Sequence, residues 1–350
     1  MTKRTRREVL ASLSVAAAAL PLASFVSGSF PENRPKTIVP PRLKAGDTVG
    51  LICPAGAAFS KETVQITKES LEALGLKVKL GKHVFDRFGY LAGTDQARAE
   101  DVNAMFADKT VQGIMAIHGG WGCARLLPLL DYKTIQKNPK PLIGYSDITA
   151  LHLAIHAKTG LITFHGPVGS ATWNKFTVDS FRQVLFDGSP ALFENPRELG
   201  DNLALTKDRI TTIMPGTARG KLVGGNLTVL SAIIGSAYLP HWKDAILFLE
   251  DTNEAVYRVD RMLTQLKLAG VLDQVKGVVF GKCSDCEPGK GYGSLTLEEV
   301  LEQHLQPLKV PVYSGAMIGH ITHKFTIPVG AEAQLDATAG TLKLLQSAVA

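Results

Sequence analysis

Ser146 stands where an apolar segment, Pro141-Leu142-Ile143-Gly144-Tyr145, gives way to a helical one beginning at Asp147. A serine at so sharp a strand-to-helix turn holds its hydroxyl off the carboxyl edge of a sheet, the geometry of a nucleophile elbow. The same position also suits a residue that merely caps the following helix, and spacing alone leaves the two readings even. One strand earlier lies His118-Gly119-Gly120-Trp121-Gly122-Cys123, whose glycines let backbone N–H groups approach a bound anion. A tight turn without a ligand accounts for that loop equally well.

A nucleophilic serine needs a base, and the base an orienting carboxylate. His320 follows Gly319 on an expected loop, a better base than His152 and His156, which share a helix face but lack the glutamate of a zinc-protease pair. Glu250 and Asp251 both end the apolar run Ala245–Leu249, and composition does not choose between them. Cys123, in the glycine loop, offers an alternative nucleophile but sits off the elbow. Cys283-Ser284-Asp285-Cys286 has the spacing of half a zinc site. With no second pair, a disulfide or two separate thiols are the readings left, and no metal is expected.

The elements that would carry these residues alternate. Strands are predicted over Val49–Cys53, Lys77–Val84, Gly113–Ile117, Pro141–Tyr145 and Leu161–Phe164. Between them come a helix capped by Ser60, a polar helix over Asp95–Phe106, a helical turn over Ala124–Leu130, and Asp147–Lys158 closed by Gly160. Short apolar strands alternating with helices imply a parallel sheet covered on both faces, with ligands at the carboxyl ends of its strands. Residues 187–208, rich in proline, glycine and charge, interrupt that rhythm. Beyond them, strands are predicted over Ile210–Met214, Ala245–Leu249, Gly277–Phe280, Val310–Tyr313, Ala331–Leu335 and Thr341–Leu345, with helices over Gly225–Ile234 and Ala255–Leu268. The fold class expected is α/β: a Rossmann-like parallel-sheet domain over 47–190 and a smaller, β-rich, barrel-like domain over 205–350.

Residues 1–29 read as an export leader, with Lys3-Arg4-Thr5-Arg6-Arg7 ahead of an apolar stretch from Val9 to Ala23 and small residues after it. The Arg6-Arg7 pair resembles a twin-arginine signal, and a linker is expected over residues 30–46. The leader carries half of the formal charge of +6, so the chain beyond it is only mildly basic. No dense basic run with interleaved aromatics appears, which excludes a nucleic-acid footprint.

Motifs then bind these parts together. They include Tyr90-Leu91-Ala92-Gly93-Thr94, Gly119-Gly120-Trp121-Gly122, Arg125 through Tyr132, Gly144-Tyr145-Ser146-Asp147-Ile148-Thr149-Ala150-Leu151 and Phe164-His165-Gly166-Pro167. Gly224-Gly225-Asn226-Leu227, Leu249-Glu250-Asp251, Tyr257-Arg258 and Gly319-His320 come next in order. From about Ala45 onward the chain resembles the LD-carboxypeptidases of the S66 serine peptidase family. The resemblance implies Ser146 as nucleophile, Glu250 as the orienting carboxylate and His320 as the base, the last two on the second domain. It further implies an oxyanion site of Gly120, Trp121 and the Asp147 N–H, no cofactor, and a murein tetrapeptide as substrate, cleaved at the L,D-amide bond before a terminal D-alanine. Where the family usually carries arginine before the glycine loop, this chain has His118.

Two other readings compete: the microcin-immunity branch of the same family, which splits peptide–nucleotide conjugates, and a periplasmic binding protein without catalysis. Export argues against the first, and the co-occurrence of all three triad motifs against the second. The partners expected are a murein peptide and no nucleic acid, with no stable membrane insertion once the leader is removed and a homodimer left open. The location expected is the periplasm.

Overall fold

Alternating strands and helices build a parallel sheet first. The structure, a computed structural model, describes residues 35–289 and 293–350. The leader predicted over residues 1–29 lies outside them. Strands β1 (Thr48–Ile52), β2 (Lys77–Leu80), β3 (Gly113–Ala116), β4 (Leu142–Gly144) and β5 (Thr163–His165) pair in parallel in the order β5-β4-β3-β1-β2. Helices α1 (Lys61–Ala73), α2 (Asp95–Ala107), α3 (Tyr132–Lys137), α4 (Thr149–Thr159) and α5 (Lys175–Arg182) alternate with or follow them. Ser60 accepts from the Glu62 and Thr63 N–H groups, and Thr94 from that of Ala97, so two orphan helix starts are satisfied by their own caps.

The second half forms a curled eight-stranded mixed sheet. Its strands are β6 (Leu192–Phe193), β7 (Thr211–Met214), β8 (Thr217–Asn226), β9 (Ile246–Thr252), β10 (Gly277–Ser284), β11 (Val312–Ser314), β13 (Glu332–Asp336) and β14 (Thr341–Leu344). They run in the order β6-β14-β13-β8-β9-β10-β11-β7, with β8 to β11 parallel. Helices α6 (Leu227–Ala232), α7 (Val256–Leu268) and α8 (Leu297–Leu305) complete it. Asn195, just past the β6 edge, donates to the carbonyls of Asp208 and Gly315 near the opposite edge, drawing the two ends of the curl together.

Two strands depart from expectation. The ten-residue β8 sits in the middle of the second sheet although no strand was predicted there. Its run, TARGKLVGGN, mixes charges and glycines and hides the period of a strand. The strand β12 (Ile327–Val329) leaves the second half of the chain and pairs antiparallel with β5, as a sixth strand of the first sheet. A three-residue run holding Pro328 gives no periodic signal. The stretch read as a linker is packed where it is described: Ile38 bridges to Leu161, and Leu43 is buried in the core.

Residues 35–350 form one compact unit. Nine of the eleven residues of α4 are buried, as befits a helix covered on all sides. Thr149 at its start accepts from the Asn226 N–H of β8, and His156 near its end fills the space beside Gly330. The helix that follows Ser146 therefore lies against both sheets.

Candidate active site

Ser146 has a left-handed backbone, φ 65°, which few non-glycine residues adopt. Holding that conformation costs about 1–3 kcal/mol and turns the side chain off the end of β4. No N–H of α4 uses Ser146 as a side-chain cap, so of the two readings open from the sequence the structure does not use the cap. The neighbour of Ser146 is Gly119: a Cβ on that glycine would sit 2.9 Å from the serine Cβ and 3.0 Å from its Oγ. Any side chain there would press on the hydroxyl.

The glycine loop is held from behind by Asp147, whose buried carboxylate accepts from the Cys123 N–H at 2.7 Å. Burial pushes the Asp147 carboxyl up, opposed by the Cys123 and Gly122 N–H groups and by the Arg98 guanidinium. The side chain of Asp147 thus serves the scaffold, while its backbone N–H and that of Gly120 have no acceptor among the described residues. Trp121 is 71% exposed and packs edge-on to Tyr90 at 6.2 Å between ring centroids, on the rim beyond the loop. His118 turns its Nδ1 to the Gly119 carbonyl at 2.9 Å, so the residue in the arginine position braces the loop. Cys123 is fully buried, and burial holds its thiol well above the ordinary range, as does the nearby Asp147. It is no nucleophile.

His320 approaches from the loop between β11 and β12. Its Nδ1 lies 2.8 Å from Glu250 Oε2, and Glu250, on β9, is wholly buried. That contact fixes the imidazole with Nδ1–H donating to the carboxylate and Nε2 left as the acceptor. Asp251, the other acid, turns away to accept from Asn226 Nδ2 and from the N–H and hydroxyl of Thr228, anchoring the start of α6. Of the two acids that composition left open, Glu250 is the one that faces His320. The Tyr145 ring joins the two halves of the site: one residue before Ser146, it meets the His320 ring edge-on at 4.8 Å between centroids. The Ser284 hydroxyl donates to the His320 carbonyl at 2.9 Å and steadies the loop. Ser284 lies between Cys283 and Cys286, which are disulfide-bonded.

Three further residues were missed from sequence. Tyr145 looked like strand filling. His165 is buried beside Tyr145 and Phe248, and burial holds its pKa well below the ordinary value. Lys324 lies buried with its ammonium over the Tyr145 ring, 4.8 Å from the centroid. The one available signal for it is a lysine four places after His320, directly before Phe325. His152 and His156, weighed as a metal pair, are packed residues: His152 Nε2 bonds the Gly144 carbonyl and His156 Nδ1 that of Leu161. Burial lowers both to about 4.

Relatives share this arrangement of chain. Residues 49–166 match the LD-carboxypeptidase N-terminal domain and residues 219–335 its C-terminal domain. The chain is 38% identical over 307 residues to a probable murein peptide carboxypeptidase of Bacillus subtilis, covering 86% of this chain and 92% of that protein. It is 32% identical over 305 residues to the murein tetrapeptide carboxypeptidase of Pseudomonas aeruginosa, covering 82% and 92%. Its fold is similar to the crystal structure of an MccF-like protein from Bacillus anthracis, with a TM-score of 0.79, 30% identity, and coverage of 89% of this chain and all of that one. A strand-to-helix serine turn, a buried carboxylate bonded to a partly buried imidazole and a match of both domains over most of the length make one assignment: the chain belongs to the S66 family of LD-carboxypeptidases.

Proposed function

We propose that the protein is a serine carboxypeptidase that releases terminal D-alanine from murein tetrapeptides through Ser146, His320 and Glu250. The observation that carries this reading is buried Glu250 bonded at 2.8 Å to partly buried His320, whose ring packs against the residue before a serine with φ 65°. The names of the relatives support the substrate class.

In this mechanism Ser146 Oγ attacks the carbonyl of the penultimate residue while His320 Nε2 takes its proton. The Gly120 and Asp147 N–H groups receive the oxyanion, a contribution of about 3–4 kcal/mol for one such donor. Collapse breaks the C–N bond, and the imidazolium returns its proton to the departing amine. Water, deprotonated by the same nitrogen, then attacks the ester, the acyl C–O bond breaks, and Ser146 recovers its proton. Glu250 holds the ring and stabilises its cation throughout. Murein lies outside the inner membrane, and the twin-arginine-like leader of residues 1–29 would deliver the chain there.

The test is incubation of the purified mature chain with tri-, tetra- and pentapeptides of murein sequence, products being weighed by mass spectrometry. Loss of one alanine from the tetrapeptide alone is expected. Cleavage of a peptidyl sulfamoyl nucleotide with the tetrapeptide untouched would move the protein to the microcin-immunity branch.

A further inference from the structure

An exopeptidase distinguishes a terminal residue from an internal one by its free carboxylate. Recognition of that group calls for a cation with unspent donors close to the nucleophile. Two lysines of the described chain are more than nine-tenths buried, Lys140 at 7% and Lys324 at 5% exposure. Lys140 spends its ammonium on the carbonyls of Met105 and Asp108. No oxygen among the described residues accepts from the ammonium of Lys324, and no carboxylate there lies within 4.0 Å of it. The ammonium therefore keeps its N–H donors unspent by the protein, on a side chain that is otherwise buried.

The surroundings say what the missing partner is. The backbone of this segment is pinned to α5, with the Lys324 N–H on Thr177 Oγ1 and the Thr326 N–H on Ser180 Oγ. The ammonium lies over the Tyr145 ring, whose edge meets His320. It is not sealed, unlike Glu250 Oε1 and both ring nitrogens of His165, which are cut off from solvent. The Glu250 carboxylate favours the charged lysine from beyond salt-bridge distance but accepts no hydrogen bond from it, its bonded oxygen being held by His320. Burial draws the lysine down to about 8, which leaves it mainly charged at neutral pH.

We propose that Lys324 is a specificity residue that binds the free α-carboxylate of the residue to be released. This rests on the carboxypeptidase reading above and adds to it the group that makes the enzyme an exopeptidase. The ammonium supplies N–H donors to the carboxylate, and the Tyr145 ring contacts both the lysine and the imidazole.

The experiment compares a murein tetrapeptide ending in a free carboxylate with the same peptide ending in a carboxamide, on wild type, Lys324→Met and Lys324→Arg. Wild type is expected to favour the acid in kcat/KM by roughly 50-fold or more. Lys324→Met should raise KM for the acid about 10- to 100-fold and leave kcat/KM for the amide within about threefold, so that the preference collapses. Lys324→Arg should keep part of it. If Lys324→Met instead lowers kcat on both peptides alike and the preference persists, the lysine positions the His320–Glu250 pair and the assignment is overturned. Calorimetry on Ser146→Ala, which retains Lys324, provides a measurement independent of turnover and of the folding of a lysine variant. Equal affinity for acid and amide would overturn the assignment as well. A wild type that cleaves neither peptide would sink the carboxypeptidase reading, while the binding comparison would still report on Lys324.

Discussion

Glu250 and His320 share a short contact, and the Tyr145 ring meets His320 one residue before Ser146, so on the proposed mechanism removal of the three is not expected to be additive. Glu250 is fully buried and makes its side-chain hydrogen bond to His320. Replacing His320 leaves that carboxylate buried without a partner, which costs about 3–5 kcal/mol on top of the lost base. The prediction is that Ser146→Ala lowers kcat/KM on the tetrapeptide by several orders of magnitude and His320→Ala nearly as much. Adding either His320→Ala or Glu250→Gln to Ser146→Ala should change little further. Cys123→Ser and His323→Ala should retain most activity, since the first is sealed in the core and the second packs on Phe176 away from the pair. Steady-state kinetics on the single and double variants checks this. Additive losses, or a dead His323 variant beside an active His320 variant, would displace the base assignment.

At the scale of elements, the acid beside Glu250 does a different job. Asp251 ties the end of β8 to the first turn of α6 through Asn226 and Thr228, and burial pushes its carboxyl up to about 6 from an ordinary 3.8. A folded-state pKa above the unfolded one means that the folded chain holds this proton more tightly. The stability this confers is full below about pH 4 and is lost as pH rises through about 6, a change on the order of 3 kcal/mol for a shift of that size. Asp251→Asn should be less stable throughout, because its amide meets donors with donors. Its melting temperature relative to wild type should lie furthest below at pH 4–5 and recover toward pH 7. Thermal melts at several pH values read this directly, and a constant difference between the two proteins would show that Asp251 does not titrate there. The three-residue strand β12 also belongs at this scale. By pairing with β5 it fastens the segment after His320 to the sheet that ends in the nucleophile turn.

For the whole molecule, the site depends on how closely the second sheet approaches α4. Gly225 on β8 touches Thr149, and a Cβ there would lie 2.5 Å from the threonine Oγ1, so a side chain cannot be accommodated without moving the helix. The Thr149 hydroxyl also accepts from the Asn226 N–H at 3.0 Å, three residues after the nucleophile. Gly225→Val is expected to destabilise the fold by about 1–3 kcal/mol, as overpacking does, and to lower kcat more than it changes KM. Denaturant melts together with kinetics on the tetrapeptide measure both effects. Unchanged kcat in a destabilised variant would mean that α4 does not transmit this contact to Ser146.

Local order determined much of this protein. The strand–helix alternation of the first half, the turn at Ser146, the helix caps and the glycine loop all rest on neighbours within a few positions, and such signals are written in the sequence. Motif order carried the family, and with it Ser146, Glu250 and His320 as residues to examine. What only the tertiary structure decided are relations across long stretches of chain. Glu250 rather than Asp251 faces His320 because the end of β9 presents one acid to the β11–β12 loop and the other to α6. The strand β8 escaped notice because its glycines serve contacts with β9 and α4 that have no local signature. Lys324 gained meaning only once Tyr145, 179 positions earlier, came to lie beneath its ammonium. Burial and charge pairing depend on what surrounds a side chain in space, and chain order states that only for neighbours.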